Sequence, residues 1–209
     1  MHSNFQVISH PLIEHKLAKL RDKATGHVEF RQLVFQLSAL MVYEATRTLP
    51  TKDVDITTPV QATKAKKLAK PVTVVPILRA GLAMAEGVLA IMPEARVGHL
   101  GMARDERTLQ PSLYLERLPK DAADGPVLVV DPMLATGGSI IRGVSVLLKA
   151  GVTDICVLSL VAAPEGVRNF AQAYPEVRVY AAALDERLNE HGFIVPGLGD
   201  AGDRLFGTI

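Results

Sequence analysis

The chain has 209 residues, of which 48% are hydrophobic and 22% are charged, and this composition is typical of a globular protein and excludes a disordered one. The 23 lysine and arginine residues nearly balance the 22 aspartate and glutamate residues, and a net charge of +1 disfavours a duplex-binding protein, which usually carries a strong basic excess. Aromatic residues make up only 5% and tryptophan is absent, which disfavours a stacking surface for single-stranded nucleic acid.

Cysteine content and hydropathy exclude further classes. One cysteine, Cys156, cannot form a disulfide framework or a multi-cysteine zinc site, and its apolar neighbours predict a buried strand residue rather than a catalytic thiol. Residues 1–10 lack the apolar core of a secretory signal. The longest apolar stretch, 73–93, is interrupted by Arg79 and Glu86, so we expect no membrane span. We therefore predict a cytoplasmic protein without nucleic-acid or membrane partners.

The first fifty residues are predicted to be helical. Apolar residues recur at helical spacing after Pro11, and a second helical pattern runs from about residue 27 to 48. The segment 53–70 is polar and rich in lysine. We interpret this segment as a solvated connector, with a basic binding patch as the alternative.

From residue 72 onwards, short apolar runs alternate with helical patterns. The predicted strands are 72–78, 97–102, 127–130, 155–161 and 177–183, and the predicted helices are 81–91, 139–150 and 165–174. Such strands are typical of an α/β fold in which a mostly parallel sheet is flanked by helices. We predict one domain over 1–209: N-terminal helices and connector (1–70), a core (71–184) with a β-arm or lid at about 104–118, and a C-terminal hood (185–209).

The strongest local signal is the segment 127–139, which reads VLVVDPMLATGGS. A buried strand delivers Asp131 to its carboxyl end, where ligands of such sheets bind, and a glycine-rich turn opens the next helix. Glycines allow close backbone approach, and a helix N-terminus favours an anion, so we predict a phosphate site to which Thr136 and Ser139 add hydroxyl groups. The alternative is an ordinary strand–turn–helix junction with Ser139 as the N-cap. No lysine follows the glycines, so this is not a Walker loop.

Two further features lie at predicted ligand-facing positions. The tail reads GLGDAG over 197–202, but only seven residues follow, too few for a dinucleotide-binding unit. We predict instead a loop whose bare backbone hydrogen-bonds a small planar ligand. Arg79 follows a strand directly, and Arg104 begins the predicted arm; the two parallel donors of arginine suit phosphate. A plain surface arginine is the alternative at Arg79.

Together these motifs resemble the uracil phosphoribosyltransferase family, with its type I phosphoribosyltransferase fold. The likeness covers nearly the whole chain, and its most specific parts are DPMLATGGS at 131–139 and PGLGDAGD at 196–203. Further matching motifs are HPLI (10–13), LMVYEAT (40–46), PILRAG (76–81), VAAPEG (161–166) and LNEHG (188–192). The chain departs from many relatives at Ala103, where they have an aromatic residue, and at Phe193, where they have tyrosine.

The resemblance implies transfer of a phosphoribosyl group from phosphoribosyl pyrophosphate (PRPP) to uracil, giving UMP and pyrophosphate. The residues that it implies for PRPP binding are Arg79, Arg104, Asp131, Pro132, Met133, Leu134, Ala135, Thr136, Gly137, Gly138, Ser139 and Asp200. Those that it implies for uracil, read largely through backbone groups, are Ile194, Gly199, Asp200 and Ala201. We expect Asp200, Arg104 and Asp131 to contribute to catalysis.

The resemblance also implies Mg²⁺ as a cofactor, held mainly by the substrate, because Asp131 is followed by Pro132 and not by a second acid. We expect no dedicated protein metal site, a homo-oligomer (a dimer or larger), and GTP as a candidate effector. Two alternatives stay open: a non-catalytic regulator that senses nucleotides while binding nucleic acid, and a phosphoribosyltransferase for a purine. The balanced charge argues against the first, and the small tail argues against the second.

Overall fold

A computed structural model of the chain describes residues 4–104 and 111–208. The helices in these ranges are α1 (Pro11–Arg21), α2 (His27–Ala45), α3 (Gly81–Ile91), α4 (Gly138–Lys149), α5 (Pro164–Ala173) and α6 (Ala201–Phe206). The strands are β1 (Phe5–Val7), β2 (Thr51–Thr57), β3 (Ala62–Leu68), β4 (Thr73–Leu78), β5 (Arg96–Val97), β6 (His99–Arg104), β7 (Pro111–Arg117), β8 (Val127–Val130), β9 (Met133–Leu134), β10 (Ile155–Ala162), β11 (Arg178–Leu184), β12 (Arg187–Leu188) and β13 (Ile194–Val195).

The central sheet is mostly parallel, as the alternating pattern predicts. Its strand order is β1-β11-β10-β8-β4-β6-β7, with β5 paired to β4 and β9 paired to β10. Every pairing in it is parallel except that of β6 with β7, which forms an antiparallel arm. The predicted β-arm is thus confirmed as strands β6 and β7, whereas residues 105–110 of the predicted segment lie outside the described residues.

Helices cover both faces of the sheet, and alternate residues of each central strand face opposite layers. Leu128 and Val130 of β8 pack with α1, α2, α3 and α6, whereas Val127 and Val129 pack with α4 and α5. All eight residues of β10 are buried, which is why this strand reads as an unbroken apolar run. The two layers leave the carboxyl ends of the strands as the open edge of the core.

Two expectations for the N-terminal part are corrected. The segment 53–70, expected to be a connector, is a hairpin of β2 and β3 in which Asp53 pairs with Lys66 and Asp55 with Lys64. Cross-strand pairs of opposite charge stabilise such a hairpin without apolar residues, so hydropathy alone does not reveal it. The first fifty residues, expected to be helical throughout, also contain β1, which joins the sheet edge beside β11.

Helices α2 to α5 confirm the predicted pattern to within three residues at each end, whereas α1 ends earlier, at Arg21, and α6 follows the predicted loop without having been predicted. At the start of α1, His10 Nδ1 accepts a hydrogen bond from the Leu12 N–H at 3.1 Å, and Pro11 occupies the first turn, where its missing N–H costs nothing. Among the residues described, no helix has the length and apolar character needed to span a membrane.

Candidate active site

Three neighbouring strands bring the predicted site residues to one edge of the sheet. In the register of β4 with β8, Pro76 lies opposite Val130, so Arg79 and Asp131 follow strands that end side by side. Strand β6 pairs with the other side of β4 and carries the backbone of Arg104 at its end. The side chain of Arg104 lies outside the described residues, so its predicted role stays a prediction.

The glycine-rich turn after β8 forms a cradle at the start of α4. Gly137 is the N-cap of α4 with φ 87°, a left-handed conformation that a glycine adopts without penalty. The N-cap residue Gly137 has no side chain to cap this helix, which corrects the alternative reading of Ser139 as the N-cap. The Gly138 N–H donates to Thr136 Oγ1 at 3.4 Å, so the Ser139 and Ile140 N–H groups are the ones available to an anion.

A cleft of about 150 Å³ opens against this turn. Its lining includes seven of the residues predicted to bind PRPP: Asp131, Met133, Ala135, Thr136, Gly137, Gly138 and Ser139. Pro132 and Leu134 are buried beneath the turn and contribute support. The Pro132 carbonyl accepts from the Leu160 N–H at 3.0 Å, and the Leu134 carbonyl accepts from the Ala163 N–H at 2.9 Å, which fixes the turn to β10.

Helix α5 braces the same turn from outside, a contact that sequence patterns do not reveal. The Asn169 side-chain amide donates to the Thr136 carbonyl at 3.0 Å. Gly166 packs so closely that a Cβ there would lie 2.2 Å from the Ala135 carbonyl oxygen. The close approach of helix α5 to the turn thus depends on a residue without a side chain at position 166.

Asp131 lies half-buried at the floor of the cleft. Burial raises the pKa of its carboxyl to about 7, and the hydrogen bond that Oδ1 accepts from the Met133 N–H at 3.3 Å opposes this shift only in part. A carboxyl poised near neutrality can accept hydrogen bonds from sugar hydroxyl groups once it is ionised.

Arg79 links this edge to the hood, residues 185–208. Its guanidinium Nη2 lies 3.8 Å from the Asp203 carboxylate, and its Cζ lies 5.6 Å from the centre of the Phe206 ring. The Leu78–Arg79 peptide bond is cis. The Arg79 side chain remains 59% exposed, so its donors stay open to an anionic ligand.

The hood presents backbone at the predicted base-binding positions. Gly199 and Asp200 are exposed, whereas the Ile194 and Ala201 side chains are buried, so only backbone groups of these last two can face a ligand. The Asp200 carboxylate caps α6 by accepting from the Asp203 N–H at 3.0 Å. Asp200 therefore has a structural contact in addition to its predicted catalytic role.

Sequence reasoning missed the arginines that support the hood. Arg21 of α1 forms an ion pair with Asp185, and Arg204 of α6 reaches back to the turn after α1. Neither arginine lies at a strand end or within a glycine-rich turn. Their contacts become apparent only in the three-dimensional structure, since the paired residues are 164 and 182 positions apart in the chain.

Metal-binding capacity at this edge is limited to isolated carboxylates. Within residues 4–104 and 111–208, no three His, Cys, Asp or Glu side chains come together in a group that could hold a metal ion. Asp131 is the single acid that lines the phosphate cleft. This donor set fits a divalent ion that reaches the site chelated by a substrate.

The fold recurs in known structures of one enzyme class. Adenine phosphoribosyltransferase from Leishmania donovani superimposes with a TM-score of 0.62 over 90% of this chain and 87% of that chain, at 12% identity, which is a likeness of fold alone. The Aquifex aeolicus protein AQ2163 matches with a TM-score of 0.93 at 37% identity, covering 97% of each chain. The chain therefore has the fold seen in a phosphoribosyltransferase.

Sequence comparison narrows the class. The family model described as "Uracil phosphoribosyltransferase" matches residues 7–208. Proteins named uracil phosphoribosyltransferase from Lactococcus lactis subsp. cremoris and Streptococcus agalactiae are 57% and 58% identical, covering 99% and 98% of both chains respectively. The chain belongs to the uracil phosphoribosyltransferase family, which confirms the resemblance carried by its motifs, and it is an enzyme of the pentosyltransferase class.

Proposed function

We propose that the protein transfers the 5-phosphoribosyl group of PRPP to uracil, with UMP and pyrophosphate as products. The observation that carries this proposal is the contact of Arg79 with the hood, because it joins the phosphate-binding edge to a loop of exposed backbone. A ribose bound at this edge would then lie between its leaving group, pyrophosphate, and its entering group, uracil. Family membership favours this reaction over the purine and regulator alternatives.

The cradle supports binding of the 5′-phosphate. The Ser139 and Ile140 N–H groups at the start of α4 and the Thr136 and Ser139 hydroxyl groups supply donors, and the helix dipole favours the anion. Asp131, at the floor, would accept hydrogen bonds from the ribose hydroxyl groups in its ionised form. Arg79 and Arg104 would bind the pyrophosphate, where bidentate hydrogen bonds both orient the group and offset its charge.

Backbone groups of Ile194, Gly199, Asp200 and Ala201 support selection of uracil. A uracil edge presents acceptor, donor and acceptor, which peptide N–H, C=O and N–H groups complement. A cytosine edge places a donor against a donor, and unpaired polar groups of this kind reject an analogue strongly. Backbone recognition also agrees with the low aromatic content, since no stacking platform is required.

The reaction is a displacement at the anomeric carbon of ribose. The bond from this carbon to the pyrophosphate oxygen breaks, a bond to the uracil ring nitrogen forms, and the proton of that nitrogen ends on the departing pyrophosphate. Positive charge develops on the sugar ring, and the arginines stabilise the negative charge of the departing pyrophosphate. A Mg²⁺ ion chelated by PRPP would supply further charge neutralisation. Closure of the arm carrying Arg104 would exclude water from the activated sugar.

The proposal is tested with radiolabelled bases, PRPP and Mg²⁺. We expect a nucleotide product from uracil and none from cytosine or hypoxanthine. Absence of product from uracil at every magnesium concentration would refute the proposed reaction.

Asp200→Asn tests the catalytic role of the hood acid. An asparagine oxygen can still accept from the Asp203 N–H, so the cap of α6 is retained while the charge is removed. We expect turnover to fall at least about tenfold with a small change in melting temperature. A parallel fall in turnover and melting temperature would mean that Asp200 acts only as the helix cap.

Family membership also supports a homo-oligomer and GTP as an effector. Sedimentation equilibrium measures the first, and a monomer at assay concentration would contradict it. Initial rates with and without GTP measure the second, and identical rates at all uracil concentrations would contradict it.

A further inference from the structure

Two consecutive carbonyl groups of the hood accept hydrogen bonds from arginines outside the predicted site. The Gly197 carbonyl accepts from Arg21 Nη1 at 2.7 Å. The Leu198 carbonyl accepts from Arg204 Nη1 at 2.8 Å. These carbonyls directly precede Gly199, where the exposed backbone begins. The peptide groups on the protein side of the loop are thus held by charged donors.

Arg21 is itself fixed by a buried acid. Its Nη2 and Nη1 donate to the two carboxylate oxygens of Asp185 at 2.5 and 2.8 Å, and the Asp185 side chain is only 4% exposed. The same carboxylate accepts from the Gly197 N–H at 2.9 Å. Arg21 and Asp185 therefore hold both the N–H and the carbonyl of Gly197. Charge-assisted, bidentate geometry makes this a strong and directional contact.

The backbone conformation of Gly197 is one that requires glycine. Its φ is +61°, and a Cβ at this position would lie 2.2 Å from the Ile194 carbonyl oxygen. The loop turns back on itself here, so the direction in which Gly199 leaves depends on how residue 197 is oriented. A change in the orientation of Gly197 would therefore change the orientation of the exposed peptide groups that follow it.

Arg204 secures the loop from the opposite side. Its Nη2 donates to the Asp22 carbonyl at 2.6 Å, and its Cζ lies 4.3 Å from the centre of the Phe30 ring. Burial lowers the pKa of Arg204, while the nearby Asp22 opposes this shift. Two arginines thus connect the loop to the N-terminal helices. Arg21 extends from α1 to the hood, and Arg204 extends from the hood to the turn after α1 and to Phe30 of α2.

We propose that Arg21, Asp185 and Arg204 are positioning residues for the base, which set the direction of the exposed backbone at Gly199 and Asp200 by gripping Gly197 and Leu198. This inference rests on the proposed function. None of the three residues needs to touch uracil. The N-terminal helices, which lie outside the PRPP cradle, acquire through them a role in selecting the base.

The test compares Arg21→Met and Arg204→Met with the control Arg178→Met. Methionine keeps much of the apolar stem and removes the donors. Arg178 also bonds a carboxylate, that of Asp154 at 3.1 Å, but at the amino end of β11, away from the predicted site. The measurements are KM for uracil, KM for PRPP, kcat and melting temperature.

We expect KM for uracil to rise about tenfold to a hundredfold in Arg21→Met and Arg204→Met, because misplacing a binding group by about 1 Å has effects of this size. We expect KM for PRPP to stay within about twofold of wild type, since the cradle is unchanged. Arg178→Met leaves both KM values unchanged. Arg21→Lys keeps the charge and one donor nitrogen but loses the two-pronged geometry of arginine, so it partly restores the uracil KM. Folded variants whose uracil KM is unchanged, or whose two KM values rise in proportion, would overturn the inference.

Hydrogen–deuterium exchange gives a readout that does not depend on activity. The peptide spanning residues 194–200 exchanges faster in Arg21→Met than in wild type, and Arg178→Met shows no change there. If Arg21→Met does not fold, Arg21→Lys and Arg204→Met decide the question by the same two measurements. Wild-type protein that fails to convert uracil would count against the proposed function itself. Active variants in which the ratio of the uracil KM to the PRPP KM equals that of wild type would count against this inference alone.

Discussion

Replacing Asp131 by asparagine should change how stability depends on pH. Burial raises the pKa of this carboxyl to about 7 in the folded protein, whereas it titrates near 3.8 when exposed. Between these values the folded state binds one proton more than the unfolded state, so the carboxyl stabilises the fold at low pH and this contribution is lost as pH rises through 7. The full shift corresponds to about 4 kcal/mol, at about 1.4 kcal/mol per pKa unit.

The measurable part lies between pH 5 and pH 8. Integrating the proton linkage over this interval predicts that wild type loses about 2.5 kcal/mol of unfolding free energy relative to Asp131→Asn. Guanidinium denaturation of both proteins at several pH values measures the difference in unfolding free energy. The contributions of the titratable groups that the two proteins share cancel in this difference. The raised pKa also predicts that wild-type kcat/KM for PRPP falls below pH 7, because a protonated carboxyl accepts weaker hydrogen bonds from the ribose hydroxyl groups than a carboxylate does.

A difference in unfolding free energy that stays constant within about 0.5 kcal/mol from pH 5 to pH 8 would refute this reasoning, since it would mean that the carboxyl titrates alike in both states. Asp124→Asn is the matched control, because it makes the same substitution at an exposed acid.

Two further substitutions or modifications test the packing described above. Burial raises the pKa of the Cys156 thiol to about 12, so a thiol reagent at pH 8 should label it only after unfolding, and rapid labelling of native protein would contradict its place in the core. Gly166→Ala should cost about 1–3 kcal/mol and raise KM for PRPP more than KM for uracil, because the new methyl group would press on the Ala135 carbonyl. Gly26→Ala is its control, since a Cβ there meets no atom within 4 Å, and equal effects of the two changes would contradict the bracing role of position 166.

The core of the fold could be predicted because each of its elements carries a local signal. Buried strands such as β8 and β10 are unbroken apolar runs, and glycine-rich turns mark where a helix begins. The edge position of Asp131 and Arg79 then follows from the rule that parallel strands end together. No distance measurement is needed to expect these residues at one site.

Elements without such a signal were missed. The charged strands β2 and β3 have few apolar residues, with Val54 and Ile56 of β2 only half-buried, and β1 has three residues, too short for a periodic pattern. The support of the hood was missed for a different reason, because a surface arginine and a buried partner look alike in sequence. Only the folded chain shows that Arg21 meets Asp185.

The two halves of the site differ in how far apart along the chain their supporting contacts lie. The cradle is braced by Asn169 on Thr136, a separation of 33 residues, and its strands and helices follow one another directly. The hood depends on contacts across 164, 176 and 182 residues, from Arg21 to Asp185 and Gly197 and from Arg204 to Asp22. Contacts of long separation form late, because a long loop must close first. During synthesis, therefore, the contact that braces the cradle can form once residue 169 has been made, whereas the contacts that hold the base-binding loop require residues up to 204.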